Sequence, residues 1–226
     1  MTLQNTLLPC VEINPPIPAS GCVIWLHGLG ADGNDFASIV PQFGLWPHRP
    51  VRFVFPNAPS RPITINNGYV MPGWYDITSV TKIDGHLDRA GIDDSVNAIK
   101  LLIEREEKKG IPSNKIVLAG FSQGALIAMM TGLHYDKPLG GILALSGYFP
   151  FSATELTEIA SPANASIPIF IGHGKEDTVV PYFLSQMTFD LLKNQGYSVG
   201  LHSYAMAHSV NAAEVNDIAD WLKMIF

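Results

Sequence analysis

Ser122 stands at the centre of Gly120-Phe121-Ser122-Gln123-Gly124, with a glycine two places away on each side. Strand-like KIVLA (115–119) precedes it and a helix-forming run follows. A turn between strand and helix exposes a hydroxyl, and small neighbours keep other backbone clear of it. A Gly/Ser turn can also be a plain connector, and five residues with two free positions do not decide between the two. A serine becomes a nucleophile at neutral pH when a histidine accepts its proton and a carboxylate orients that histidine. The chain supplies both, acid before base. Asp177 follows the strand-like IPIFIGHG (167–174), and His208 follows VGLHSYA (199–205), ahead of the last helical run. Asp177 lies 55 residues after Ser122 and His208 another 31 on, which leaves room for the intervening strands and helices.

Each partner has competitors. Glu176 adjoins Asp177, and the shorter aspartate is preferred because Asp177-Thr178 opens a turn. His173, between glycines at a strand end, reads as a ligand of loop backbone. His202 lies inside a strand, and His27 closes the VIWLH run beside a glycine loop that it shapes. His48, His86 and His134 sit in loop-like context with no evident partner.

A tetrahedral oxyanion needs two backbone N–H donors, one from the residue after the nucleophile and one from a loop after an early strand. Gln123 supplies the first by position. LHGLGADGNDF (26–36) supplies the second: Gly28, Gly30 and Gly33 free the loop to turn an amide inward, and Leu29 is the chosen donor. GLGADG also matches the G-x-G-x-x-G of a phosphate-binding loop. A single match of that kind is weak, and it would leave Ser122, Asp177 and His208 without a role.

These residues need a scaffold that gathers distant loops. CVIWLH (22–27), VRFVF (51–55), KIVLAG (115–120), GILALSG (141–147) and IPIFIGHG (167–174) are continuous apolar runs, as expected of parallel strands covered on both faces. VGLHSYA alternates more and reads as nearer an edge. Between Asp88 and Lys109, Ile92, Val96, Ile99, Leu102 and Ile103 form one helical stripe. Asp93 and Asp94 come early and Lys108 and Lys109 late, as the helix dipole favours, before Gly110 and Pro112 end the run. Further helices are predicted just after Ser122, over 181–196 and over 211–225. Alternating strands and helices build a mostly parallel sheet, whose ligands bind at the carboxyl ends of the strands.

The 226 residues are 47% hydrophobic and 15% charged, which fits one domain over 1–226 with a large core. A net charge of −6 without a basic stripe argues against nucleic acid. No apolar run approaches the roughly 18 residues that cross a bilayer. The N-terminal residues lack a basic segment followed by a continuous apolar core, so a cytoplasmic location is expected, with Cys10 and Cys22 as free thiols.

Together, LHGLGADGNDF, PNAPSRPITINNGYVMPGWYDI, GFSQGALIAM, ALSGYFP, GHGKEDTVVP and a histidine before the last helix resemble the carboxylesterase, lysophospholipase and acyl-protein thioesterase branch of the α/β-hydrolases. The resemblance runs from about Gly21 to the C-terminus. It implies an α/β-hydrolase fold, a mostly parallel central sheet with helices on both faces and no large cap domain. It also implies Ser122 as nucleophile, Asp177 as orienting acid, His208 as base, an oxyanion hole of the Leu29 and Gln123 amides, a shallow acyl groove and often a homodimer. In that family the segment from Trp74 to Ile77 lines the site. Met71, Trp74, Phe121 and Phe149 are the expected substrate contacts, while Tyr75 reads equally well as core. Relatives commonly carry a basic residue where this chain has Met71-Pro72-Gly73-Trp74, which leaves substrate preference open.

The expected activity is hydrolysis of short- to medium-chain acyl esters or thioesters through an acyl-enzyme, with no metal or organic cofactor. Lysophospholipids and acyl groups on protein cysteines are the alternative substrates, with at most transient contact with a membrane surface. A non-catalytic binding protein of the same fold would show a broken triad. The stretch from Val51 to Ser79, rich in Pro and Asn, is the expected source of a flexible flap.

Overall fold

The computed structural model describes residues 7–78 and 87–226; His86 and Ser79 lie outside the described residues. Six parallel strands form the body of one sheet. They are β2 (Gly21–Leu26), β3 (Val51–Pro56), β6 (Ile116–Phe121), β7 (Gly141–Leu145), β8 (Pro168–Gly174) and β9 (Ser198–Tyr204). A short β1 (Cys10–Ile13) adds antiparallel to β3, giving the order β1-β3-β2-β6-β7-β8-β9. β9, the strand with the alternating sequence, is the far edge.

The continuous apolar runs follow from burial on both faces. Along β2, Cys22, Ile24 and Leu26 pack into one core and Val23 and Trp25 into the other. The first core is closed by α1 (Arg89–Lys108), α2 (Gln123–His134), α3 (Ala153–Ile159) and α4 (Tyr182–Asn194). The second is closed by α5 (Ala212–Ile225) together with a 3₁₀ helix, Ala37–Phe43. All five stripe residues of α1 are buried. Its N-cap is Asp88, whose carboxylate accepts the Gly91 N–H at 2.9 Å. Asp93 and Asp94 fall in the second turn, so the acid at the helix start is Asp88 rather than that pair. α2 has no polar stripe, because every residue from Gln123 to Leu133 is buried.

The stretch 51–79 is not one flap. Its first six residues are β3, a buried strand of the sheet. The chain then forms a separate hairpin of β4 (Ser60–Ile63) and β5 (Tyr69–Pro72). β1 carries little sequence signal because it is four residues long, half-buried and held partly by charge. Glu12 in β1 pairs with Arg52 in β3 at 2.5 Å and with Arg105 in α1 at 2.9 Å. Cys10 sits opposite Pro56 and Cys22 opposite Arg52, on different sides of β3 and displaced along it, so the two thiols are free. Among the described residues no helix is long and apolar enough to cross a membrane. The carboxyl ends of β2, β6, β8 and β9 bring the glycine loop, Ser122, Asp177 and His208 to the same edge of the sheet.

Candidate active site

Ser122 occupies the single residue between β6 and α2, at φ 54 and ψ −116. Positive φ is uncommon for a residue with a Cβ, and the flanking glycines show why it is forced. A Cβ on Gly124 would stand 2.6 Å from the Leu26 carbonyl and 2.7 Å from that of His27. A Cβ on Gly120 would collide with the Gly124 carbonyl. α2 therefore starts directly against β2 and β6, and the chain can turn into it only through a tight serine elbow. The Ser122 N–H donates to the Leu145 carbonyl at 2.8 Å, which ties the elbow to β7.

Asp177 follows β8 and is buried. One carboxylate oxygen accepts the Val179 and Val180 N–H groups at 2.9 and 2.8 Å, an Asx turn that only the shorter acidic side chain closes so tightly. The other oxygen lies 2.6 Å from His208 Nδ1 and 3.2 Å from His173 Nε2. Glu176 is exposed, so of the adjacent acids Asp177 is the one that meets His208. With Nδ1 donating to Asp177, His208 keeps Nε2 as its acceptor. Its ring rests on Phe121 at 4.8 Å between centroids. Among the described residues the Ser122 hydroxyl makes no hydrogen bond to His208; both residues line one cavity of about 380 Å³.

The other histidines have structural partners or lie off the cavity. His173 Nε2 bonds the Val180 carbonyl at 2.8 Å, and burial pushes its imidazole below the usual range. The Ala58 N–H donates to His27 Nε2 at 3.1 Å, which leaves the proton on Nδ1 to bond the Gly28 carbonyl at 2.7 Å. Burial also lowers the His27 pKa, so a neutral ring braces the loop that carries Leu29. His202 stacks on Phe170 at 4.1 Å. His48 and His134 do not line the cavity.

Leu29 lies between Gly28 and Gly30, and Gly30 has φ 76. The Gly30 N–H donates to the Pro72 carbonyl at 2.8 Å, fastening the loop to the β4–β5 hairpin. Leu29 and Gln123 both line the cavity, and among the described residues neither backbone N–H donates to a protein acceptor. The Gln123 side chain has a second task. Its Oε1 accepts the Trp74 N–H at 2.8 Å and its Nε2 donates to the Tyr75 carbonyl at 2.6 Å.

Of the expected substrate contacts, Phe121 lines the cavity and three others do not. Trp74 is fully buried, with its indole N–H donated to the His27 carbonyl at 2.8 Å. Met71 lies on β5, its sulfur beside Gly30. Phe149 packs on Phe151 at 5.1 Å, because its N–H is drawn to Thr188 of α4. The wall is made instead by Tyr75 to Thr78 and Leu87 on one side, and by Tyr148, Val179 to Pro181 and Leu184 on the other. Tyr75 to Ile77 belong to the segment that the resemblance places at the site, while Thr78, Leu87, Tyr148, Val179 to Pro181 and Leu184 carry no local signal in the sequence. Among the described residues no group of three or more His, Cys, Asp or Glu is arranged to hold a metal ion.

A family model described as Phospholipase/Carboxylesterase matches residues 9–226. The chain is 43% identical over 213 residues to Acyl-protein thioesterase 1 of Neurospora crassa, covering 88% of this chain and 84% of that protein. It is 34% identical to Acyl-protein thioesterase 1 of Yarrowia lipolytica, covering 95% and 96%. Among solved structures it superposes on Arabidopsis thaliana SOBER1 with a TM-score of 0.84 at 29% identity, over 91% of this chain and 98% of that one. Zea mays acyl-protein thioesterase 2 gives 0.82 at 28%, over 96% and 98%.

Proposed function

The chain belongs to the phospholipase/carboxylesterase family of α/β-hydrolases, and from that premise we propose that it is a serine hydrolase of carboxylic thioesters and esters, with acylated protein cysteines the foremost substrates. The observation that carries the mechanism is the contact of buried Asp177 with half-buried His208 at 2.6 Å, His208 lining the same cavity as a strained Ser122. Ser122 Oγ attacks the acyl carbonyl while His208 Nε2 takes its proton. The Leu29 and Gln123 N–H groups receive the oxyanion. The intermediate collapses to an acyl-serine, His208 returns the proton to the departing thiol or alcohol, and water then releases the acid by the same route. Asp177 holds the imidazole in the working tautomer and stabilises its charged form.

The thioester reading is supported by the relatives named acyl-protein thioesterase, and the apolar wall around Tyr75, Ile77 and Leu184 suits an alkyl chain. Residues 1–226 act as one catalytic unit in this reading. The test is hydrolysis of p-nitrophenyl esters and S-acyl peptides across acyl lengths, wild type beside Ser122→Ala, with fluorophosphonate labelling of both. Wild type should hydrolyse and label. The variant should lose labelling and several orders of magnitude in turnover. A variant that matches wild type would reduce Ser122 to a turn residue and overturn the proposal.

A further inference from the structure

The described residues lining the cavity include two carboxylates, Asp35 and Asp76, and neither lysine nor arginine. Asp76 is tied down: its two oxygens accept the Thr64 N–H at 2.7 Å and the Thr64 hydroxyl at 2.6 Å. The Asp35 carboxylate makes no hydrogen bond or ion pair among the described residues, while its backbone N–H donates to the Asp32 carbonyl at 3.1 Å. Burial nevertheless pushes its carboxyl above the usual range, so it faces a less polar environment than open water.

A run of rings links the residue after Asp35 to His208. Phe36, the next residue, packs on Phe121 at 5.5 Å, and Phe121 packs on His208 at 4.8 Å. Asp35, Phe121, Ser122 and His208 all line the one cavity. In the proposed reaction the alkyl chain takes the apolar wall and His208 protonates the departing thiol or alcohol, which leaves the Asp35 carboxylate to the leaving group.

We propose that Asp35 is a specificity-determining residue that favours a cationic leaving group, namely an acylated cysteine flanked by Lys or Arg in a peptide. This rests on the acyl-hydrolase reading above and narrows its substrate class. The same charge disfavours leaving groups that carry phosphate. A lysophospholipid carries its phosphate on the same glycerol as the ester, and an acyl-coenzyme A carries several phosphates beyond its pantetheine arm. Neither finds a balancing lysine or arginine among the described lining residues.

The test uses two S-octanoyl peptides, identical except for Lys or Glu on both sides of the acylated cysteine. Wild type, Asp35→Asn and Asp35→Lys are compared by the ratio of kcat/KM for the Lys peptide to that for the Glu peptide. A ratio cancels any general loss of activity or folding in a variant. Wild type should favour the Lys peptide by about fivefold at low salt, as partly exposed charge pairs allow, with the preference shrinking as salt rises. The ratio should approach unity in Asp35→Asn and invert in Asp35→Lys. A ratio unchanged by Asp35→Asn overturns the assignment, as does faster turnover of octanoyl-lysophosphatidylglycerol, whose leaving group is anionic, than of the Lys peptide by wild type. If wild type hydrolyses neither peptide nor a p-nitrophenyl ester, the acyl-hydrolase reading fails first and takes this proposal with it.

Discussion

Ser122 is held in a backbone conformation that costs a non-glycine residue on the order of 1–3 kcal/mol, and the structure around it leaves no alternative. The Asp177 carboxylate is the best-satisfied group nearby: two backbone N–H groups and two imidazole nitrogens converge on it. Asp177→Asn would keep this shape while placing an amide where His208 needs an acceptor, forcing the other tautomer. We expect kcat to fall by about 10⁴, with a thermal midpoint close to wild type. Steady-state kinetics beside a melting curve checks this; a loss under tenfold would mean that Asp177 is only a loop anchor. These candidate residues were legible because each sits in a loop right after a strand, in the order the proposed chemistry needs. The substrate contacts were not. Trp74 and Phe149 are each one residue from a cavity-lining neighbour, and which of two adjacent side chains faces the cavity is set by hydrogen bonds to Gln123 and Thr188, far away in sequence.

At the scale of elements, the contact of α2 with β2 and β6 depends on glycine. The atoms a Cβ on Gly124 would strike are the Leu26 and His27 carbonyls, which are backbone and cannot swing aside. Gly124→Ala should therefore cost about 1–3 kcal/mol as an overpacking change, read as a lower urea midpoint. It should also reduce turnover, since the helix start carries Ser122 and Gln123. Unchanged stability and turnover would show that the elbow tolerates a wider approach. The parallel strands were readable because burial on both faces leaves an unbroken apolar run. The hairpin β4–β5 was not, because it is short, largely outside the two cores and contains Pro62 and Pro72, which mark it as edge structure.

At the scale of the whole molecule, Glu214 is an exception to the rule that buried carboxylates are paired. It lies in the first turn of α5, fully buried, and among the described residues neither side-chain oxygen has a hydrogen-bond partner. Burial, helped by nearby Asp217, pushes its pKa up to about 8 from an ordinary 4.5. The folded chain thus holds a proton that the unfolded chain releases. The stabilisation is complete below about pH 4.5 and is lost as pH rises toward 8, at up to about 1.4 kcal/mol per pH unit. Glu214→Gln keeps the size of the side chain without the titration. Its stability relative to wild type should rise steadily between pH 5 and about 8 when urea midpoints are compared. Parallel curves would show that Glu214 does not retain its proton in the fold.

The sequence by itself determined the alternation of strand and helix, the burial of the sheet on both faces, and the candidate chemistry. Those features rest on local physics: apolar periodicity, glycine punctuation, and reactive residues placed after strands in a readable order. Only the tertiary structure decided that His173 shares the Asp177 carboxylate with His208, and that Tyr75 and Tyr148 rather than Trp74 and Phe149 form the cavity wall. Those outcomes depend on contacts between segments tens of residues apart. Neighbouring side chains of similar character differ there only in which hydrogen bond the rest of the fold offers them.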